Sequence, residues 1–161
     1  MAVMAASQAN IQYLSGLMDA QMISCDKINQ LRQVRFLKDK AHTLELMQRH
    51  AALLRPRFDA FLTELEKLRP LEIARWTQPQ GGYFISLYTL PGCAKRTVEL
   101  CRQAGLVMTQ AGATYPYGKD PEDRHIRIAP SYPALEDVKT AAKVFCTCLK
   151  LAALEKQNLV N

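Results

Sequence analysis

Arg127 has the plainest chemical use in this sequence. It stands in Ile126-Arg127-Ile128, ahead of Ala129-Pro130-Ser131. In an alternating strand the two isoleucines share one face and the arginine takes the other. A guanidinium there can clamp a carboxylate through two parallel hydrogen bonds, which a lysine cannot match. Equally, Arg127 can be an ordinary solvent-facing strand residue. Gly81-Gly82 before Tyr83-Phe84 can let backbone approach a ligand beside an aromatic lining, or can be a plain turn. Ser24-x-x-Lys27 matches a serine–lysine nucleophile pattern, but its companion is missing, since Lys139-Thr140 is followed by Ala141 rather than glycine. No phosphate loop or dinucleotide fingerprint occurs.

Cysteines stand at positions 25, 93, 101, 146 and 148. The number is odd and there is no Cys-x-x-Cys. Cys146 and Cys148 are two apart in a helical run, so they point to different sides and should not share a metal. His42, His50 and His125 add no ligand pattern. Reduced, mostly buried thiols in a cytosolic protein are the expectation. The chain has 161 residues, 48% of them apolar and 22% charged, which fits a globular protein and excludes a disordered tail, a collagen repeat or a disulfide miniprotein. No apolar run approaches the roughly 20 residues of a membrane span, and the first twenty residues lack a secretory pattern. Of the net charge of +6, the stretch from Asp26 to Arg57 supplies +5. Such a basic segment can face nucleic acid, anionic lipid or an acidic small molecule, or simply be a solvated helix face.

These residues need elements to hold them. Ser7 to Gln21 reads as a helix with Ser7 as N-cap and Ile11, Leu14 and Met18 on one face. Residues 22–40 read as less regular and strongly basic. Leu44, Met47, Ala51, Leu54, Phe58, Phe61, Leu65 and Leu68 then recur at spacings of three and four, a helix of about 25 residues. Pro56 inside it predicts a bend near Ala52 to Pro56. Short strands are expected at Ile73–Thr77, Tyr83–Tyr88, Leu106–Thr109 and His125–Pro130. A helix at Ala94–Ala104, with Ala94, Val98 and Cys101 inward, ends at Gly105. A last helix runs from about Pro133 to Glu155 with Val138, Ala142, Phe145, Leu149 and Ala152 inward. The order predicts an α+β fold: a small sheet with helices packed on it, preceded by a long bent helix and a helical arm.

Four segments, taken together, carry a resemblance. They are Trp76-Thr77-Gln78-Pro79-Gln80-Gly81-Gly82-Tyr83-Phe84-Ile85-Ser86-Leu87; Ala104-Gly105-Leu106-Val107-Met108-Thr109; Ala111-Gly112-Ala113-Thr114-Tyr115-Pro116-Tyr117-Gly118; and Ile126-Arg127-Ile128-Ala129-Pro130-Ser131-Tyr132-Pro133. In order and spacing they resemble the C-terminal half of fold-type I, pyridoxal-phosphate-dependent class I/II aminotransferases. The aspartate-aminotransferase-like branch is the most similar, with counterparts also at Lys27-Ile28-Asn29-Gln30-Leu31-Arg32 and Val34-Arg35-Phe36.

The resemblance implies that residues 1–40 are a remnant of a large domain with a basic connector, 41–69 a junction helix and 70–161 a small α+β domain. It implies that Arg127 holds the substrate's α-carboxylate and that Tyr83 and Phe84 approach the mouth of the active site. Asn29 and Arg32 would lie near a dimer interface, by the substrate's distal end or the neighbouring subunit. The cofactor lysine of such enzymes follows a serine- or threonine-rich turn and precedes glycines; none of the ten lysines here has that setting. It is therefore expected upstream of Met1, so no catalytic residue is assigned, and no covalent pyridoxal phosphate is expected on this chain. The chain is then the C-terminal portion of a cytoplasmic, homodimeric aminotransferase acting on an amino acid and a 2-oxo acid, and inactive alone. Neither nucleic acid nor membrane is expected as a partner. The alternative is a non-catalytic, aminotransferase-like module serving regulation or partner binding.

Overall fold

The structure, a computed structural model, describes residues 4–158. The fold is α+β, with five α-helices and one three-stranded antiparallel sheet among the described residues. The chain divides into two compact units, one ending at Arg49 and the other beginning at His50.

The first unit holds α1 (Gln8–Gln21), α2 (Lys27–Leu37) and the opening turns of α3 (Lys40–Glu66). A short polar side chain marks each start. Ser7 Oγ accepts from the Asn10 N–H at 3.4 Å, Asp26 Oδ1 from the Asn29 N–H at 2.9 Å, and Asp39 Oδ1 from the His42 N–H at 2.8 Å. Each cap satisfies a donor that a helix start leaves free, a contribution of about 1 kcal/mol. The expectation of irregular chain over 22–40 is thus corrected, because α2 lies inside it. Ile28, Leu31 and Val34 step by three along a strongly basic segment, which dilutes the apolar periodicity; the Asp26 cap was its legible sign. Helices α1 and α2 bury no residue, and Tyr13, Ile23, Ile28, Val34 and Phe36 are more than half exposed.

In the second unit α3 continues through Pro56 without interruption and buries Phe58, Phe61 and Leu65. A 3-10 turn at Arg69–Leu71 and a left-handed Glu72 (φ 50°) lead into β1 (Ala74–Trp76). Then come β2 (Ile85–Thr89), α4 (Ala94–Gln103), β3 (His125–Ile128) and α5 (Leu135–Asn158). The strand order is β1-β2-β3, with Trp76 opposite Leu87 and Ser86 opposite Arg127. Thr77 closes the first hairpin: its N–H donates to the Ser86 carbonyl and its hydroxyl accepts from the Ser86 N–H, both at 3.0 Å.

One sheet face gives Ile85, Leu87, Ile126 and Ile128 to a core shared with Phe61, Leu65, Phe145 and Leu149. The Phe61 and Phe145 rings lie 5.6 Å apart. Burying one such ring contributes about 1.5–3 kcal/mol, so the periodic faces of α3 and α5 anchor the sheet. Helix α4 turns Ala94, Thr97, Leu100 and Cys101 inward, and Arg96 forks onto Glu155 of α5 at 2.6 and 2.7 Å. Cys93, Cys101, Cys146 and Cys148 are buried free thiols and Cys25 an exposed one. Burial, with the two thiols of α5 close by, pushes Cys101 of α4 up to about 12; burial does the same to Cys146.

The structure shifts two strand expectations. Tyr83 and Phe84 precede the ladder, which starts at Ile85. Leu106–Thr109 forms no strand. Its alternation is real, with Leu106 and Met108 packed on the core and Val107 exposed, but alternation alone does not supply a ladder partner.

Candidate functional site

The pleat of β3 sorts its side chains as expected from the spacing. Ile126 and Ile128 are buried in the core, and Arg127 stands half-buried on the opposite face. The register then brings Phe84 to it. Ile85 pairs with Ile128 and Ser86 with Arg127, so the residue before Ile85 lies diagonally across from Arg127 on the same face. The Arg127 guanidinium sits over the Phe84 ring at 4.6 Å. Its Nε is fully covered and meets no acceptor among the described residues. Beside it opens a cleft of about 200 Å³, whose walls include Leu106, Met108, Thr109, Pro130 and Pro133. Arg57 Nε donates to the Pro133 carbonyl at 2.8 Å and so ties α3 to the link between β3 and α5. Among the described residues no carboxylate lines the cleft, so there the guanidinium faces an apolar wall without a counter-ion.

On the same sheet face as Arg127, two residues earlier, lies His125, 5% exposed. Its Nδ1 is hydrogen-bonded to Thr114 Oγ1 at 2.7 Å. Its ring stacks obliquely on Tyr88 at 4.8 Å and meets Tyr115 edge-on at 6.0 Å. Arg75 covers Tyr88 at 5.0 Å. Burial holds the imidazole below its ordinary value of 6.5, with Arg127 adding to this and Asp120 opposing it. Asp120 is itself an acceptor for three backbone donors: the N–H groups of Glu122 (3.1 Å), Arg124 (2.7 Å) and His125 (2.7 Å). Burial alone raises a carboxyl, but these three hydrogen bonds outweigh it and hold Asp120 below its usual range. The loop between α4 and β3 is therefore fastened at both ends, by Asp120 and by the Thr114–His125 pair. Gly112 packs there with φ 77°, and a Cβ on it would stand 3.0 Å from the Gly118 carbonyl.

Of the residues proposed from sequence, Arg127 and Phe84 are thus neighbours. Tyr83 is 53% exposed and has no contact with Arg127 among those described. Asn29 and Arg32 belong to α2 in the first unit, where Asn29 is half-buried and Arg32 exposed. Sequence reasoning missed the brace of Thr114, Asp120 and His125. Asp120 followed by Pro121 was its one local signal, since a short carboxylate before such a turn readily accepts backbone N–H groups. Pyridoxal phosphate requires an amine for an imine and an acid for its pyridinium nitrogen. Among the described residues the walls around Arg127 contain neither lysine nor carboxylate, so these residues do not by themselves fit that group. What they can do is bind and orient an anion.

Comparison with known proteins places this geometry in context. The sequence profile described as aspartate amino-transferase matches residues 1–160. A Mycolicibacterium smegmatis protein carrying an aminotransferase name is 47% identical over 152 residues, which are 93% of this chain and 35% of that protein. An aspartate aminotransferase of Corynebacterium glutamicum is 40% identical over 92% of this chain, again 35% of its own length. The chain thus spans about a third of the curated relatives it matches. The solved structure of an aspartate transaminase from Corynebacterium glutamicum superposes with a TM-score of 0.85 at 40% identity, covering 93% of this chain and 36% of that one. The Thermus thermophilus α-aminoadipate aminotransferase LysN shares the fold at 18% identity, with a TM-score of 0.71 over 91% of this chain and 37% of its own.

Proposed function

The chain belongs to the aspartate amino-transferase family, and on that premise we propose that it supplies the carboxylate-binding portion of a pyridoxal-phosphate-dependent aminotransferase. The reaction is transfer of an amino group between an amino acid, with aspartate favoured by the relatives' names, and a 2-oxo acid. Arg127 takes the α-carboxylate. The supporting observation is a half-buried guanidinium at the edge of an apolar cleft that has no carboxylate of its own among the described residues. A charged, planar anion answers both the charge and the fork of donors. Asn29 and Arg32 of α2 are assigned to the substrate's distal end or to a neighbouring subunit. The parent is taken as a cytosolic homodimer that binds pyridoxal phosphate through residues outside those described here.

Titration of the 161-residue chain with succinate, followed through the arginine side-chain N–H signals by NMR, tests the assignment of Arg127. Saturation in the millimolar range, about −4 kcal/mol, is expected for the native chain and not for Arg127→Ala. Equal binding by both proteins removes Arg127 from the role.

A further inference from the structure

We propose that Phe84 is a positioning residue for Arg127: it fixes the plane of the guanidinium before any carboxylate arrives. The inference rests on the carboxylate reading of Arg127 and goes beyond it, since it assigns Phe84 to the arginine rather than to the substrate. Four observations carry it. The hairpin register sets Phe84 diagonally across from Arg127 on one sheet face. The guanidinium lies over the Phe84 ring at 4.6 Å, well inside cation–π range. Phe84 itself is held at the base of β2, next to Ile85, which is fully buried. Arg127 Nε is fully covered without a partner, while the residue as a whole is only half-buried.

Geometry makes the two contacts compatible. A ring takes the flat face of a guanidinium, and a carboxylate takes its edge. With Nε covered, the accessible edge is the pair of terminal nitrogens, so the stack leaves the end of the fork free for an anion. An arginine on a bare strand samples many rotamers, and binding must then restrict them; a stacked one has already been restricted. Gly82, with φ 82°, stands in the turn that leads through Tyr83 and Phe84 to β2.

The test uses the 15N-labelled 161-residue chain, with succinate as probe. The Arg127 Nε–H signal is assigned by its loss in Arg127→Lys. In the native chain the Phe84 ring is expected to shift this signal upfield. Phe84→Leu is expected to move it back toward the free-arginine position and to weaken succinate binding about two- to fivefold, the scale of a half-exposed cation–π contact. Phe84→Tyr is expected to restore both, which a loss of mere packing bulk does not explain. If Phe84→Leu leaves both the signal and the affinity unchanged while Arg127→Ala abolishes binding, the positioning role is overturned and the carboxylate reading stands. If Arg127→Ala binds succinate as the native chain does, the carboxylate reading fails, and the proposal built on it fails with it.

Discussion

Replacing Arg127 by methionine is expected to stabilise the fold while it removes carboxylate binding. The buried Nε–H has no acceptor, and an unsatisfied buried donor costs about 1–3 kcal/mol. Against this stands the contact with Phe84, lost on substitution. That ring is 47% exposed, so the contact is worth about 0.5–1 kcal/mol. Methionine keeps comparable length, suits the apolar cleft wall and carries no polar atom that needs a partner. The balance is a gain of about 0–2.5 kcal/mol. With a urea slope of about 2 kcal/mol/M for a domain of this size, the midpoint should hold or rise by up to about 1.2 M. The assay is urea unfolding followed by the fluorescence of Trp76, which lies on β1 of the same sheet, run beside the succinate titration. A midpoint that falls by 0.5 M or more would show that Arg127 is held by interactions the structure does not contain, and would falsify the view that its side chain is kept for a ligand. A rise in stability with unchanged succinate affinity would refute the argument from the other direction.

Other outcomes follow from the same structure. Asp120→Ala leaves three backbone N–H groups without their acceptor and should cost about 2–4 kcal/mol in urea unfolding, with Asp120→Asn recovering part of it. His125 titrates below its ordinary 6.5 in the folded chain, so the unfolded chain binds the extra proton first. Its contribution is complete above pH 6.5 and declines as the pH falls below that value; Asp120, also lowered, adds a further loss only below pH 3.8, its ordinary value. Stability measured from pH 7.5 to 5 should therefore decline, and His125→Gln should flatten the decline. Phe145→Ala opens a cavity at a site of zero exposure and should cost about 3–5 kcal/mol. Treatment of the folded chain with a thiol reagent near pH 8 should label Cys25 alone, and denaturant should release four more sites.

Much of this was legible in the sequence where one period ran uninterrupted. The inward residues of α5, Val138, Ala142, Phe145, Leu149 and Ala152, are all buried, because a helix between two packed layers must repeat its apolar side every three or four positions. Alternation likewise placed Arg127 opposite Ile126 and Ile128. The N-terminal half of the α3 stripe behaves differently: Leu44 and Met47 are exposed although the period never breaks. Period states which side is apolar, not what covers it. Leu106–Thr109 failed for a related reason, since alternation describes a chain lying on a core whether or not a strand pairs with it. The site was only half legible. The contact of Phe84 with Arg127 depends on the register of two strands far apart in sequence, and no local pattern encodes that. The Thr114–His125 bond depends on a loop with no period at all.

The Asp120 staple has a consequence for how this part of the molecule can change over time. The loop carrying Ala113, Pro116, Tyr117 and Lys119 takes its shape from a single carboxylate, a hydroxyl–imidazole pair and the close packing of Gly112. Those four side chains are exposed and lie outside the core. Substitutions among them leave the fastenings in place, so the loop is a replaceable cassette on a fixed mount. Substitutions there can reshape the surface beside His125 while the sheet and its helices remain as they are.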